Sequence, residues 1–526
     1  MTTVEPPSAD RTMHRQRHCR AKTHKAPQCI TRAIRAVATG VALIATGDSL
    51  CLAAGTDRAR TGESREQDVS AVRNEVETAL AKAANFFRHH VAVERGYVWR
   101  SGVDLTLREG EGRVPAERVW VQPPGTPSVG LAYLAAYEAT DDEGYLEAAR
   151  ETAHCLVRGQ LRSGGWDYFI EFDPSVRERF AYRSNAPGDD QRNVSTLDDN
   201  TTQAALRLLI RVDVVLDRQD AAIREAVDYA LEQLLTIQYP NGAWPQRFSA
   251  PPNADDYPVV RASYPPSWSR EYVARDYRGH YTLNDNVLAN MVDVLLEAGQ
   301  RYSRDKCRAA ALQSGEFLML AQMPDPQPAW AQQYDVEMHP AWARKFEPPA
   351  VTGGESFGAL RTLLRLYRET GDERFLEPIP RALEYFRRSR LPDGRLARFY
   401  ELETNRPLYF TREYELTYDD GDLPTHYGFK ASDQTDAIAR EYQRLLSVDS
   451  PGHDQSPAAS RPELTDKLME RARAIVAALD AQGRWVEKGR LKYHDEQPAD
   501  GLIIDSRTFV NNVQALARFL QATKRP

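Results

Sequence analysis

The stretch Gln238–Trp244, with the sequence QYPNGAW, decides the fold because it closes a helical segment that recurs along the chain. That segment, residues 220–244, starts at an aspartate and continues through alanine-rich sequence with helical periodicity. Residues 142–166 follow the same course and end in QLRSGGW. Further copies occupy residues 305–330, 371–396 and 467–485. Five copies of one unit indicate a repeat architecture.

A second helical pattern follows four of these copies, so the predicted unit is a helix pair. The second helices are predicted at 201–216, 287–302, 355–370 and 510–523, and residues 69–90 with 129–139 supply one more pair. Turns separate the helices, and convincing strands are almost absent. About six pairs predict an all-α fold, an (α/α) toroid with long irregular loops at one end. An open solenoid is the alternative. Irregular, aromatic-rich loops on a rigid scaffold favour an enzyme over an adaptor.

Composition narrows the possible classes. The chain has 526 residues, 42% of them hydrophobic, which is ordinary for a globular protein and unlike collagen, a coiled coil or a polytopic membrane protein. The formal net charge of −7 gives no electrostatic footprint for nucleic acid. Five cysteines match no zinc or redox spacing, and Cys155 and Cys307 fall in helical patterns, where buried free thiols are expected. We expect a monomer.

The N-terminus predicts export. Arg32 and Arg35 precede an apolar stretch of about a dozen residues, too short to span a bilayer, and Leu52-Ala53-Ala54 offers small residues for cleavage. We therefore expect an export signal with a disordered segment over residues 1–60, a single toroid domain over 68–526, and a secreted or periplasmic protein. The alternative is a disordered arm that carries a chance apolar run.

Two acidic steps lie where second-type helices begin. Asp198 and Asp199 precede the helix at 201, and Asp285 precedes the helix at 287. We expect Asp198 and Asp285 to occupy equivalent places in successive repeats. Aspartate is a preferred N-cap, so helix capping is one interpretation. The other is a site for a hard cation such as Ca²⁺, which takes carboxylate oxygens and needs no His or Cys. We place Asp198 and Asp285 as metal ligands and Asp199 as a substrate contact.

The arginines predict the charge of the substrate. Arg344, Arg398, Arg406 and Arg412 lie in loops beside aromatic residues. Guanidinium groups bind carboxylates in a two-point fork, so cations and arginines aimed at one cleft imply an acidic polymer. Tyr400 could stack on a sugar ring. The alternative for each arginine is ordinary ion pairing with a nearby glutamate such as Glu347, Glu355 or Glu401.

At these positions the sequence resembles the family-10 polysaccharide lyases, the pectic acid lyases. The resemblance is collinear from about residue 70 to 430 and rests on the stretches Ser195–Asp198, Gln238–Gln246, Thr282–Asp285, Ala343–Glu347, Gly354–Ser356 and Ala397–Arg412. Three positions depart from the family pattern, since Ala243 stands for glycine, Arg247 for an aromatic residue and Asn286 for an acidic one.

The resemblance implies an (α/α) toroid that cleaves polygalacturonate, or a related uronic-acid polymer, by calcium-assisted β-elimination. It implies that Asp198 and Asp285 bind calcium or substrate and that Arg398 and Arg412 hold uronate carboxylates. It also implies that Arg344 is the base that takes the carbon-5 proton. An arginine base must be partly neutral or lose its own proton during the transfer, and burial and neighbouring cations would favour the neutral form.

Other toroid functions remain open from the residues alone. An unsaturated-uronyl hydrolase would use a carboxylate without calcium, and a non-catalytic toroid could bind acidic glycans. A triterpene cyclase shares the Gln-x-x-x-Gly-x-Trp motif but needs an Asp-x-Asp-Asp acid, which Asp198-Asp199 does not supply.

Overall fold

The computed structural model describes residues 53–447, 461–497 and 501–524. The chain divides into two compact units, Met1–Glu63 and Ser64–Pro526, and the architecture below is that of the second. The predicted export signal lies outside the described residues except for positions 53–60, which form the start of helix α1. Among the described residues, no helix combines the length and the apolar character that crossing a bilayer requires.

Helices dominate the described part of the chain. They are α1 (Ala53–Phe86, continued by a π-turn at Phe87–Val91), α2 (Thr126–Thr140), α3 (Glu143–Gly159), α4 (Pro174–Arg177), α5 (Thr201–Val215), α6 (Ala221–Ile237), α7 (Val287–Tyr302), α8 (Asp305–Ala321), α9 (Glu355–Thr370), α10 (Pro378–Ser389), α11 (Thr435–Leu446), α12 (Asp466–Ala477) and α13 (Ser506–Thr523). Aspartates cap several of them: Asp142 accepts from the Gly144 N–H and Asp220 from the Ile223 N–H.

The long helices form two rings. Helices α2, α5, α7, α9 and α11 contact one another in that order, and α13 packs on α2, so these six form an inner series. Helices α3, α6, α8, α10 and α12 pack outside it. Helix α1 completes the outer series, because Asp68 bonds Arg473 of α12 and the π-turn residue Arg88 bonds Glu151 of α3. The predicted (α/α) toroid of about six helix pairs is confirmed.

One inner helix was not predicted. Helix α11 is the partner of α10, whose segment had no second helix in the sequence analysis. It has 12 residues, and only Thr435, Ile438 and Leu445 are buried, so it offers few apolar positions from which a helix can be recognised.

The closing tryptophans Trp166, Trp244, Trp330 and Trp485 lie in the core. The indole N–H groups of Trp166, Trp330 and Trp485 donate to a backbone carbonyl of the preceding helix at 2.8–2.9 Å. Trp244 donates instead to the Ser314 hydroxyl at 2.9 Å. Each buried indole therefore has the partner that its polar N–H needs. Cys155 and Cys307 are buried free thiols, as predicted.

Short strands connect the helices at one end. They are β1 (Arg100–Gly102), β2 (Arg108–Glu109), β3 (Arg118–Trp120), β4 (Phe169–Glu171), β5 (Ser195–Thr196), β6 (Arg247–Phe248), β7 (Tyr281–Thr282), β8 (Gln333–Tyr334), β9 (Ala350–Thr352), β10 (Leu396–Ala397), β11 (Phe399–Glu401), β12 (Pro407–Phe410), β13 (Leu416–Thr417), β14 (Lys430–Ala431), β15 (Val486–Lys488) and β16 (Leu502–Asp505). Two four-stranded antiparallel sheets, in the orders β15-β16-β1-β2 and β13-β12-β11-β9, support the loops there. Strands of two to four residues carry too little alternation to be read from sequence.

Candidate active site

Two turns of matching geometry lead into α5 and α7. Asp199 and Asn200 both adopt left-handed backbone angles, with φ of 50° and 61°. Asp285 and Asn286 do the same, with φ of 48° and 58°. Consecutive left-handed residues other than glycine are costly, and such strain concentrates at functional sites. The same strained turn in two successive repeats therefore marks this end of the ring.

The backbone corrects the equivalence between the two repeats. Asp285 has the conformation of Asp199, and Asn284 occupies the place of Asp198. The predicted equivalence of Asp198 and Asp285 is therefore wrong by one residue. Both turns are rich in Asp and Asn, so composition alone did not fix their register.

The three aspartates gather instead of capping their helices. Neither α5 nor α7 has a side-chain cap hydrogen bond. One carboxylate oxygen from each of Asp198, Asp199 and Asp285 lies within 4.8 Å of the other two. Helix capping, the alternative interpretation of these residues, does not describe them.

Neighbouring side chains hold each carboxylate. Asp198 Oδ2 accepts from the Tyr168 hydroxyl at 2.7 Å, and Asp199 Oδ2 accepts from Gln122 Nε2 at 2.7 Å. Asp285 Oδ2 accepts from Asn284 Nδ2 at 2.6 Å. The other oxygen of Asp198 is buried and has no hydrogen-bond partner in the described part of the chain. A buried carboxylate oxygen without a donor is expensive, so this atom is poised for a ligand.

The cluster resists carrying three negative charges. Burial and then the charge of Asp198 raise the pKa of Asp199 to about 6. Burial, followed by the charges of Asp199 and Asp198, raises the pKa of Asp285 well above its ordinary value. Like charges in a low-dielectric site disfavour ionisation, and a bound cation would relieve that penalty.

Arg398 lies beside this cluster. Its Nη2 donates to Glu355 Oε1 at 2.5 Å, while its Nε is buried without a partner. Burial lowers the pKa of Arg398, but the charges of Glu355 and Asp285 help to offset it, and the net pKa is raised. Glu355 begins α9, so the third repeat also supplies a carboxylate at its inner-helix start.

Arg344 forms a two-point ion pair. Its Nε and Nη2 donate to the two oxygens of Glu347 at 2.8 and 2.6 Å. Burial lowers the pKa of Arg344, but the hydrogen bonds and charge of Glu347 outweigh it and raise the pKa above the ordinary value. Burial favours a neutral guanidine, as expected, but the carboxylate of Glu347 outweighs it and keeps Arg344 charged.

Tyr427 joins the two arginines. Its ring lies 4.4 Å from the Arg398 guanidinium and 5.6 Å from that of Arg344, and its hydroxyl donates to Glu347 at 3.0 Å. The charge of Arg344 partly opposes the rise in the pKa of Asp199, and the charge of Arg398 partly opposes the rise in the pKa of Asp285. The structure thus brings Asp198, Asp199, Asp285, Arg344 and Arg398 into one site.

Three other predicted site residues contact side chains or backbone outside the aspartate cluster. Tyr400 is buried, and its hydroxyl donates to the Ser389 carbonyl at 2.6 Å, so its side chain is part of the core. Arg406 is exposed and its guanidinium lies 3.5 Å from the Tyr418 ring. Arg412 is exposed and pairs with Asp422 at 3.1 Å. Ordinary ion pairing, the alternative for each arginine, is found for Arg344, Arg398 and Arg412, although the first two pairs border the carboxylate cluster.

The sequence analysis missed several site residues. Gln122 reaches Asp199 from 77 positions earlier, and no motif signals it. Tyr168 follows the closing Trp166, which was its only signal. Arg247 stands where the family pattern has an aromatic residue, and it donates to the Tyr168 hydroxyl at 3.2 Å while its Nε is buried without a partner. Tyr427 was outside every motif considered.

The donor set fits a hard divalent cation. Five carboxylates (Asp198, Asp199, Asp285, Glu347, Glu355) face three guanidiniums (Arg247, Arg344, Arg398), an excess of two negative charges when all are ionised. The unpartnered Asp198 oxygen and the buried, unpartnered side-chain oxygens of Asn200 and Asn284 add neutral or anionic oxygen donors. Oxygen ligands in an irregular arrangement suit Ca²⁺.

Comparisons with known proteins give the following matches. Two solved structures are a family 10 polysaccharide lyase from Cellvibrio cellulosa, 20% identical over 61% of this chain and 97% of that one with a TM-score of 0.40, and its D189A mutant in complex with trigalacturonic acid, 19% identical over 61% and 98% with a TM-score of 0.42. A family 76 α-mannanase from Bacteroides thetaiotaomicron is 10% identical over 86% of this chain and 95% of that one, with a TM-score of 0.38. No curated protein sequence matches the chain.

The family match coincides with the site. Residues 171–397 match the pectic acid lyase family. This segment contains Asp198, Asp199, Asp285 and Arg344, and it ends one residue before Arg398. The resemblance seen in the sequence is thereby confirmed over residues 171–397, the segment that is similar to the pectic acid lyases.

Proposed function

We propose that this protein cleaves polygalacturonate, or a related uronic-acid polysaccharide, by calcium-assisted β-elimination. The observation that carries the proposal is the convergence of three aspartates within 4.8 Å with two guanidiniums at one end of the ring. A site with both an excess of carboxylate and fixed arginines can hold an anionic sugar through a shared divalent cation.

Asp198, Asp199 and Asp285 are the residues that would hold calcium. The ion, when bound, would neutralise the substrate carboxylate and stabilise the negative charge that develops on it as the carbon-5 proton leaves. The raised pKa values of Asp199 and Asp285 support this assignment, because they report charge that the protein alone does not balance.

Arg398 would bind a uronate carboxylate. Its Nη2 is committed to Glu355, but its Nε is buried and has no partner within the described residues, so a donor remains for the substrate. A guanidinium fixed by a buried glutamate is already oriented and loses little freedom when substrate binds.

Arg344 would act on the carbon-5 proton. Its Nε and Nη2 face Glu347, and its Nη1 makes no hydrogen bond within the described residues. Since the ion pair keeps the guanidinium charged, Arg344 must give up a proton before it can accept one. Glu347 is hydrogen-bonded to Arg344 and is the proton acceptor within reach. Burial raises the pKa of Glu347, but Arg344 lowers it by more, so the net pKa is below the ordinary value.

The predicted export signal places the protein outside the cytoplasm, where a polymeric substrate is accessible. We therefore also propose secretion or a periplasmic location. Cleavage of the N-terminal segment during export, detected by mass spectrometry of the mature chain, would test this part separately. A mature protein that retains residue 1 would contradict it.

The test of the reaction is the appearance of a carbon 4–5 double bond in polygalacturonate, followed by ultraviolet absorbance with and without a chelator. A lyase forms the double bond, an unsaturated-uronyl hydrolase removes it from cleaved oligomers, and a glycan-binding protein does neither. We expect absorbance to rise with calcium and to stop when a chelator is added. No increase on any uronic-acid polymer would refute the proposal.

The role of Arg344 is tested by Arg344→Ala and by a matched control, Arg387→Ala, at an exposed arginine of α10. We expect Arg344→Ala to abolish turnover while polymer binding survives, and Arg387→Ala to retain both. If Arg344→Ala loses binding but keeps normal residual turnover at saturating substrate, Arg344 holds substrate and is not the base.

A further inference from the structure

A second group of charges lies on the inner helices. On α5, α7 and α9, the residues Arg207, Arg211, Glu297, Arg301 and Arg365 are among the few that are not fully buried. These positions lie in the middle and C-terminal parts of the three helices, away from the acidic turns that precede α5 and α7. The side chains line a cavity of 390 Å³.

Three guanidiniums surround one carboxylate in this cavity. Arg211 Nε and Arg301 Nε lie 2.7 and 3.1 Å from Glu297 Oε1, and Arg207 Nε lies 3.4 Å from Oε2. Burial raises the pKa of Glu297, but the hydrogen bond and charge of Arg211, together with Arg301 and Arg207, lower it overall. Glu297 is therefore ionised at neutral pH and neutralises one of the three cations.

The remaining charges leave the cavity cationic. Arg365 lies 3.8 Å from Asp293, and Glu369 is paired with Arg308 of α8 at 2.8 Å. Four guanidiniums (Arg207, Arg211, Arg301, Arg365) thus face two carboxylates (Glu297, Asp293). The excess is two positive charges.

Arg207 is the least satisfied of these cations. Its side chain is only 17% exposed, and its 3.4 Å contact with Glu297 is its one polar contact within the described residues. A guanidinium has five N–H donors, so most donors of Arg207 remain available to a ligand in the cavity. Arg365 and Gln300 are exposed at the same cavity, so a ligand can enter from solvent.

The cavity is separate from the candidate active site. Asp285 precedes the first residue of α7, whereas Glu297 lies ten positions after Val287. At a rise of 1.5 Å per residue, the two sites are about 15 Å apart along the helix axis. They also carry opposite charge, since the aspartate cluster attracts cations and this cavity attracts anions.

We propose that this cavity is a second, non-catalytic binding site for a small dianion with carboxylate or phosphate groups. Its charge excess matches a dianion, and Arg207 and Arg365 supply guanidinium forks suited to either group. A cavity of this size holds a short acidic sugar or a phosphate compound. The proposal does not depend on the lyase reaction.

Isothermal titration calorimetry on the full chain tests the proposal with two probes, inorganic phosphate and digalacturonate. The test variant is Arg207→Gln with Arg365→Gln, and the control is Arg387→Gln. We expect at least one probe to bind the wild type and the control, and its affinity to fall at least tenfold in the double variant. The probe that responds identifies the source of the anion.

Two further readings keep the result interpretable. The double variant should keep the wild-type circular dichroism spectrum and wild-type turnover on polygalacturonate, because neither arginine touches the candidate active site. If both probes bind the double variant as tightly as the wild type, or if neither binds the wild type at millimolar concentration, the second site does not exist. If the wild type has no lyase activity on polygalacturonate, the proposed function fails, but the calorimetric test of the second site still gives its answer.

Discussion

Replacing Asp199 with asparagine should stabilise the calcium-free protein at alkaline pH and weaken its response to calcium. The substitution keeps the shape of the side chain and an oxygen that can accept from Gln122, but it removes one of three crowded charges. Asparagine also tolerates the left-handed backbone at this position. The effect therefore reports charge more than packing.

The magnitude follows from the pKa of Asp199. Burial and the charge of Asp198 raise it from 3.8 to about 6, and this difference corresponds to about 3 kcal/mol of lost stability once the group is ionised. Because the pKa of Asp199 is higher in the folded protein than in the unfolded chain, ionisation of this carboxyl destabilises the fold. The full stability is present below pH 3.8, and about 3 kcal/mol of it is lost as the pH rises through about 6. We expect Asp199→Asn to recover about 1–3 kcal/mol at about pH 8, since Asp198 and Asp285 readjust.

Thermal unfolding in a chelator measures this gain. For a unit of this length, 1 kcal/mol corresponds to about 1 °C, so the variant should melt about 1–3 °C higher than the wild type at about pH 8. The difference should shrink as the pH falls toward about 4, where the wild-type carboxyl is protonated. Asp255→Asn, at an exposed aspartate in a loop, is the control and should show no such pH-dependent gain.

Calcium should reduce the difference in stability between the variant and the wild type. Saturating calcium should raise the melting temperature of the wild type more than that of Asp199→Asn, and calcium affinity should fall about tenfold in the variant, equivalent to about 1.4 kcal/mol. If the variant melts below the wild type in chelator at alkaline pH, or binds calcium equally well, the three aspartates do not form a strained cation site.

The remaining predictions concern the turn of the repeat and two site residues. Gly242→Ala should lower the free energy of unfolding in urea by more than about 2 kcal/mol, because the φ of Gly242 is 90° and an added Cβ would lie 2.0 Å from a backbone oxygen. The control Gly112→Ala, where an added Cβ has nothing within 4 Å, should have little effect. Equal losses in the two variants would refute the argument. Arg398→Lys should lower turnover on polygalacturonate about 100-fold, since lysine lacks the fork, and near-wild-type turnover would exclude Arg398 from substrate binding. Tyr168→Phe removes the 2.7 Å donor to Asp198 and should change calcium affinity several-fold in titration calorimetry, whereas an unchanged affinity would make that hydrogen bond purely structural.

Local patterns accounted for most of the scaffold. The helices α7 (Val287–Tyr302) and α9 (Glu355–Thr370) have the bounds predicted from their periodicity, because each carries a continuous apolar face and a clear end. The shorter helix α11, which has 12 residues and follows a long irregular stretch, was missed. Residue types also located the two acidic turns, since Asp and Asn tolerate the left-handed backbone that each turn requires.

The composition of the site was only partly predictable. Asp198, Asp285, Arg344 and Arg398 were identified from their loops, and the structure brings them together. Their partners were not, since a hydrogen bond such as that between Gln122 and Asp199 depends on two chain segments that only the closed ring brings into contact. Ion pairing of Arg344 with Glu347 was one of the two interpretations, and only the geometry of the pair showed that it outweighs the effect of burial on the pKa of Arg344.

The sequence by itself determined the repeated helix pair, its closing Gly-x-Trp turn and the polar loops between units. These features follow from short-range backbone preferences and from the burial of one apolar face, which neighbouring residues encode. Only the tertiary structure decided that Asp285 corresponds to Asp199, which arginines face the carboxylates, and that a cationic cavity lies within the same ring. Those outcomes depend on distances between segments far apart in the chain, which packing sets and local sequence does not.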